Sequence, residues 1–207
     1  CHKSKKPIVI FKVDFEKAFD KVDYNAIYYM MDHLGFSTKW IRWVKKILTT
    51  ASASVIMNGV PGKKIKCKRG VRQGDPFSPL LYVIVAELLQ LLVNEAWCQG
   101  ELSLPIQSNN NRRYPIIQYA DDTLIILPTK STQLRKSMSI LSIFTEFTGP
   151  KVNYNKSSLV PLNISDSRAL ELSNILGCKK EGMSFTYLGL PMGSTRPKVD
   201  DLMPMVS

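Results

Sequence analysis

The stretch that most constrains this chain is YPIIQYADDTLIILP, residues 114 to 128, in which two adjacent carboxylates, Asp121 and Asp122, stand between apolar runs. Apolar arms around a short polar break predict a hairpin with the acids at its tip. Carboxylates so close resist joint ionisation, and one of them keeps its proton unless something offsets the charge. An Asp pair on a hairpin tip is by itself ordinary turn chemistry. Three features weigh against that reading here. The arms are apolar enough to be buried, which leaves the acids little freedom to retreat. KPIVIFKVD, residues 6 to 14, predicts a second buried strand that also ends in an acid, Asp14. The chain as a whole is basic, 28 Lys and Arg against 17 Asp and Glu for a formal net charge of +11, so this acidity is local. Carboxylates converging from adjacent strand ends are the hard oxygen ligands that Mg²⁺ takes. Two such ions about 4 Å apart can activate an attacking hydroxyl and stabilise a leaving pyrophosphate.

The charge balance points to a polyanionic partner, nucleic acid or an acidic membrane surface, although solvated lysines alone would also produce it. Four cysteines at 1, 67, 98 and 178 lie too far apart for a zinc site and read as reduced thiols. The apolar run of residues 79 to 97 is interrupted by Glu87 and Gln90 before reaching the roughly 20 apolar residues a bilayer span requires, so it predicts a buried helix and no membrane partner. The chain opens on Cys1 with no signal peptide, and is expected to be cut from a longer protein.

Between the two acidic strands, Asp23 predicts an N-cap for a helix burying Ile27, Met30, Met31 and Leu34, with Gly35 at its stop. TKWIRWVKKILTTA, residues 38 to 51, predicts a helix with Trp40, Ile41, Val44, Ile47 and Leu48 inward and Lys39, Arg42 and Lys46 on another face; taken alone, that face reads as solvated. Asn58-Gly59 and Pro61-Gly62 predict a hairpin. Its second arm carries Lys63, Lys64, Lys66, Lys68, Arg69 and, just beyond, Arg72, without one acid, which suits a phosphate backbone. Ser78 is expected to cap the long helix and Thr132 to cap another, with Leu134, Met138, Leu141 and Phe144 inward. A strand near residues 156 to 162, a helix stopped by Gly177 and a strand near residues 185 to 193 complete the pattern. Strands and helices mix without regular alternation, which predicts an α+β fold with an antiparallel sheet.

FKVDFEKAFDKVD, RGVRQGDPFSPLLYVIVAEL, QYADDTLII, GPKVNYNKSSLV and FTYLGLPMG, in this order, resemble the successive palm motifs of reverse transcriptases. RQGDPFSP with YLGLPMG is similar in particular to the LINE-type (non-LTR) retrotransposons of plants. Group II intron enzymes carry a PQGG version of the second motif and retroviral ones a PQGW version; Arg72-Gln73-Gly74-Asp75-Pro76 fits neither. The resemblance spans nearly the whole chain, and the ordered set is specific where YADD alone is weak. It implies an α+β polymerase palm, with antiparallel sheet and packed helices, within a right-hand (fingers, palm, thumb) reverse transcriptase. Residues 1 to 207 are then one domain fragment, mainly palm, with the fingers expected before residue 1 and the thumb after residue 207.

Carried over position by position, the resemblance implies that Asp14, Asp121 and Asp122, with the backbone carbonyl of Phe15, bind two Mg²⁺ ions, for which Mn²⁺ substitutes. Phe19 matches the aromatic that packs under the sugar of the incoming nucleotide and rejects a 2′-hydroxyl; without the family it reads equally as core. Gln73 and Gly74 match the loop beside nucleotide and template. Lys156 matches a lysine that assists the departing pyrophosphate, and Tyr187, Leu188 and Gly189 match the turn supporting the primer end. The implied partners are an RNA template, a DNA primer, dNTP and the rest of a parent polyprotein that carries fingers, thumb and in some elements an endonuclease. The implied location is intracellular, in the nucleus. Pro150 replaces the Leu common in plant elements, at a helix exit away from the chemistry. A nucleic-acid-binding remnant that has lost turnover is the competing expectation.

Overall fold

The computed structural model describes residues 6–105, 113–188 and 190–193. In chain order, β1 (Ile8–Val13) and β2 (Phe15–Glu16) lead into α1 (Ala18–Lys21), α2 (Tyr24–His33) and α3 (Thr38–Thr50). A ribbon of β3 (Ser52–Ala53), β4 (Ile56–Met57), β5 (Val60–Pro61) and β6 (Ile65–Lys66) precedes α4 (Ser78–Cys98). Then come β7 (Ile116–Tyr119), β8 (Asp122–Pro128), α5 (Ser131–Thr148), β9 (Lys151–Val152), β10 (Ser158–Leu162), α6 (Asp166–Leu176), β11 (Lys179–Lys180), β12 (Phe185–Tyr187) and β13 (Leu190–Met192).

The main sheet runs in the order β11-β10-β1-β8-β7, antiparallel except for the β10–β11 pair. β1 takes the centre because IVIFKV is apolar on both faces except at Lys12. Val9, Phe11 and Val13 stand opposite Leu127, Ile125 and Thr123 and face the helices, while Ile10 and Lys12 alternate to the other side, as the two-residue strand period requires. On the helical side Leu81, Tyr82, Val85, Leu89 and Val93 of α4, Leu134, Leu141 and Phe144 of α5, and Leu172 and Leu176 of α6 share one core with the strands. On the other side Leu124 and Val160 pack with Phe185 and Tyr187 of the β12–β13 hairpin in a smaller cluster. The expected α+β fold with an antiparallel-rich sheet is what forms. By length and composition α4 is apolar enough to cross a membrane, yet nine of its residues are buried, as in a core helix.

Several local signals act as read. Asp23 caps α2, its carboxylate accepting the Asn25 N–H at 2.7 Å, and Asn58 and Gly59 both take positive φ (50° and 81°) to close the β4–β5 turn. Others are corrected. Ser78 is the first helical residue of α4; the N-cap is Phe77, whose N–H donates to the Asp75 carboxylate at 2.8 Å. Pro79 fits the first turn because no intrahelical partner awaits its missing N–H. Lys130, in extended backbone, holds the cap position of α5, so Thr132 lies inside its first turn. Trp40 is 51% and Ile47 56% exposed against the inward placement expected: α3 packs chiefly on α2, and only the narrow stripe of Val44 and Leu48 is buried in the core. Leu34, also expected inward, is the exposed C-cap of α2.

Candidate active site

The β1–β8 register brings the acids together. Val13 pairs with Thr123, so Asp14, one residue past the end of β1, and Asp122, one residue before Thr123, sit on the same sheet edge. The β7–β8 connection is tight: Tyr119 pairs with Asp122, and only Ala120 and Asp121 lie between. Ala120 has φ 50°, a left-handed conformation that costs a residue with a Cβ about 1–2 kcal/mol. Ladders on both arms hold it there, so the strain is spent on presenting two carboxylates at one point.

The backbone of Asp14 is held from below. Its N–H donates to Ser157 Oγ at 3.1 Å, and its carbonyl accepts the Asn153 N–H at 2.8 Å. The side chain is left to the site. Burial raises its carboxyl above the ordinary value, Lys156 pulls it back, and Asp121 and Asp122 push it up again. Burial and then Asp121 raise Asp122 as well, with Lys12 opposing. The acids thus feel one another across the sheet edge. Among the described residues no three His, Cys, Asp or Glu groups stand close enough to grip an ion as placed. The donor chemistry nevertheless fits a hard divalent cation: every side-chain donor is a carboxylate oxygen, Asp121 and Asp122 are exposed, and a cation relieves the mutual repulsion.

Burial and that repulsion together have a measurable sign. With the folded-state values of Asp14 and Asp122 above the unfolded ones, the penalty is absent below the ordinary carboxylate range and grows as pH rises through it to the raised values. Without divalent metal, Asp14→Asn therefore melts higher than wild type at pH 7, by roughly 1–3 °C given solvent screening, and the difference vanishes toward pH 3. Calorimetric or dichroism melts at the two pH values check it; a lower melting temperature at pH 7 contradicts a carboxyl raised by burial and repulsion.

Of the remaining candidates, Phe15, next to Asp14, buries its ring against Phe144 (5.7 Å, tilted), which leaves its backbone carbonyl as the group it has to offer a cation. Phe19, on the four-residue α1, is partly buried and stacks on Tyr82 at 4.8 Å and 17°. The loop that follows the ribbon is tied to it: Val71 N–H donates to Phe19 O and Gly70 N–H to Val22 O, both at 2.8 Å. Gly70 is required there, since φ is +82° and a Cβ would come within 2.3 Å of Asp20 O. Gln73 and Gly74 are exposed; Gly74 has φ +83° with open space around it, so its need for glycine is conformational and leaves room for a ligand.

Lys156 is exposed, on the turn anchored by Asn153, with its charge directed at Asp14. Tyr187 is buried, its hydroxyl donating to the Asp122 carbonyl at 3.4 Å, and Leu188 (φ 53°) is 41% exposed at the hairpin tip; Gly189 lies outside the described residues. Lys63, Lys64, Lys66, Lys68, Arg69 and Arg72 are all exposed on or beside the ribbon, and none forms an ion pair among the described residues. They stand apart from the carboxylates. A cleft of about 600 Å³ lies between this ribbon and Asp20, Asp75 and Phe77, and the three acids do not line it.

Sequence reasoning missed Lys12, Ser157 and Tyr82. Lys12 faces the β12–β13 side with its Nζ 5.9 Å from the centre of the Phe185 ring, and its charge favours ionised Asp14 and Asp122. A lone cation inside an apolar strand was the available signal. Tyr82 left none, because an aromatic in an apolar helix reads as core.

Residues 1–195 match the family model for reverse transcriptase (RNA-dependent DNA polymerase). Over 190 residues the chain is 26% identical to a retrovirus-related Pol polyprotein from type-1 retrotransposable element R2 of Popillia japonica, covering 87% of this chain and 26% of that protein. An uncharacterized mitochondrial protein of Arabidopsis thaliana is 43% identical over 68 residues, 33% of this chain and 56% of its own length. The fold is shared with the telomerase of Candida tropicalis, solved in complex with a fragment of telomeric RNA, at a TM-score of 0.63 and 15% identity over 90% of this chain and 28% of that one. The chain spans about a quarter of the length of the R2 polyprotein. On a family match that takes in both acidic strand ends and the loop between them, this chain belongs to the reverse transcriptase family.

Proposed function

We propose that these residues are the catalytic palm of an RNA-directed DNA polymerase from a LINE-type retroelement of plant type, adding deoxynucleotides to a primer 3′-hydroxyl on an RNA template. The observation that carries the reading is the placement of Asp14, Asp121 and Asp122 on one sheet edge by the β1–β8 register. The Arabidopsis relative supports plant type, and the RNA-bound telomerase, sharing the fold, supports an RNA template.

Asp14, Asp121, Asp122 and the Phe15 carbonyl are the groups to hold two Mg²⁺ ions, or Mn²⁺ in their place. When bound, such ions lower the pKa of the attacking hydroxyl and neutralise charge on the phosphates. The primer 3′-hydroxyl gives its proton to water as its oxygen bonds to the α-phosphorus, the bond from that phosphorus to the α,β-bridging oxygen breaks, and pyrophosphate leaves. Lys156 offers its ammonium, charge and proton, to the departing pyrophosphate. Phe19 floors the sugar pocket, and the open backbone at Gly74 with Gln73 borders nucleotide and template. Tyr187 braces the turn that carries Asp122, and exposed Leu188 faces the primer end; Gly189 keeps the role that the family resemblance gives it. Fingers and thumb come from the remainder of a parent polyprotein acting in the nucleus.

The basic ribbon takes the nucleic-acid backbone. Lys64, Lys66 and Lys68 changed together to Gln weaken primer-template binding alike across sequences and flatten the log-log salt slope by up to about three units, roughly 0.9 per lost phosphate contact on B-form DNA and less on single strands. Filter binding across a salt series reads this, and an unchanged slope returns the lysines to a solubility role. The activity itself is tested by primer extension with the full polypeptide on an RNA template. Extension with dNTP that stops on chelating Mg²⁺ supports it; nucleic-acid binding without extension, in Mg²⁺ and in Mn²⁺, overturns it.

A further inference from the structure

Phe19 has a partner that the motif does not contain. Its ring lies nearly parallel to that of Tyr82, 4.8 Å between centres and 17° between planes, an offset stack of the favoured kind. The two residues are unequal in their anchoring. Tyr82 is 2% exposed in the early turns of α4, flanked in the core by Leu81 and Val85. Phe19 rides on a helix of four residues, entered through the left-handed Lys17 (φ 47°) and tied to the following loop through backbone bonds alone. Ala18 anchors α1 in the core, and the ring contact that Phe19 itself makes is with the buried phenol of Tyr82.

We infer that Tyr82 is a positioning residue for sugar selection: it holds the Phe19 ring at the height where a 2′-hydroxyl collides with it. This rests on the proposed reading of Phe19 as the floor of the sugar pocket. Tyr82 also lies within electrostatic reach of the catalytic turn, for burial and then the charge of Asp121 raise its phenol above the ordinary value. One buried ring thus underlies the sugar floor beside one of the acids. Rejection by collision depends on distance more steeply than attraction does, so a ring free to sink loses selectivity while still binding nucleotide.

The test compares Y82L, Y82F, F19V and the F19V/Y82L double variant in the full polypeptide, each scored by kcat/KM for dNTP over rNTP on one preparation, so that any unfolded fraction cancels. Y82L lowers the ratio by about 10-fold, mainly through a lower KM for rNTP, and Y82F, which keeps the ring, restores it. The double variant matches F19V alone, because both changes act through one ring. If Y82L leaves the ratio unchanged while F19V lowers it, or if the two effects multiply, the inference falls and the sugar-floor reading stands. An unchanged ratio in F19V removes that reading and this inference together. Melting of the same four variants of the 207-residue chain gives a readout without activity: the stack predicts non-additive shifts, and additive ones overturn it.

Discussion

Asp14→Asn, Asp121→Asn and Asp122→Asn each lower primer extension by on the order of 10³-fold or more in the full polypeptide, with RNA binding unchanged within about twofold, because each removes an anionic ligand from a charge-neutralising site worth several kcal/mol at the transition state. The three acids are brought to one sheet edge by β1 and the β7–β8 turn, and burial with mutual repulsion raises both Asp14 and Asp122. Stability moves the other way. Without metal Asp14→Asn relieves a like-charge contact, so an inactive variant that melts no lower than wild type cannot owe its inactivity to unfolding. Asn keeps the shape and loses the charge, which confines the change to electrostatics. Single-turnover extension with each variant decides the matter: one that extends at near-normal rate is not a ligand of the kind proposed.

Phe19→Val admits ribonucleotides, lowering the dNTP over rNTP ratio of kcat/KM by about 10- to 100-fold, the effect of removing a repulsive contact worth a few kcal/mol. The competing role is packing, since Phe19 is partly buried against the main core on Tyr82. A purely structural Phe costs about 3–5 kcal/mol on truncation to Ala and lowers activity toward both substrates together. The two roles separate in the ratio, measured with both nucleotides on one preparation. Reduced activity at an unchanged ratio assigns the ring to the core.

Where local signals and the final structure agree, a short-range cause is at work. Asp23 caps α2 through a bond to a residue two positions on, and Gly177 ends α6 with φ 66° because no Cβ opposes the left-handed turn. The ribbon turn at Asn58-Gly59 is closed by the residues that tolerate its dihedrals. Trp40 and Ile47 went the other way. Helical periodicity showed an apolar stripe on α3, but how wide a stripe is buried depends on how its neighbours pack, and only Val44 and Leu48 reach the core. The cap of α4 is Phe77 rather than Ser78, and the bond its N–H gives to the Asp75 carboxylate two residues earlier is as short-range as that of Asp23.

By itself the sequence determined the strands that end in acids, the tight turn that offers Asp121 and Asp122 together, the helix caps at Asp23 and Gly177, the basic ribbon and, through the order of its motifs, the family. These depend on the identities of residues a few positions apart, where periodicity, turn dihedrals and charge act directly. The tertiary structure alone decided that β1 lies between β8 and β10, that Ser157 and Asn153 clamp the Asp14 backbone, that Gly70 closes on the Asp20 carbonyl, that Lys12 shares the field of the acids, and that Tyr82 lies under Phe19. Each joins groups on separate elements, many of them far apart in the chain. Sheet register and helix packing set those distances, and both result from burying the whole core at once rather than from any local run of residues.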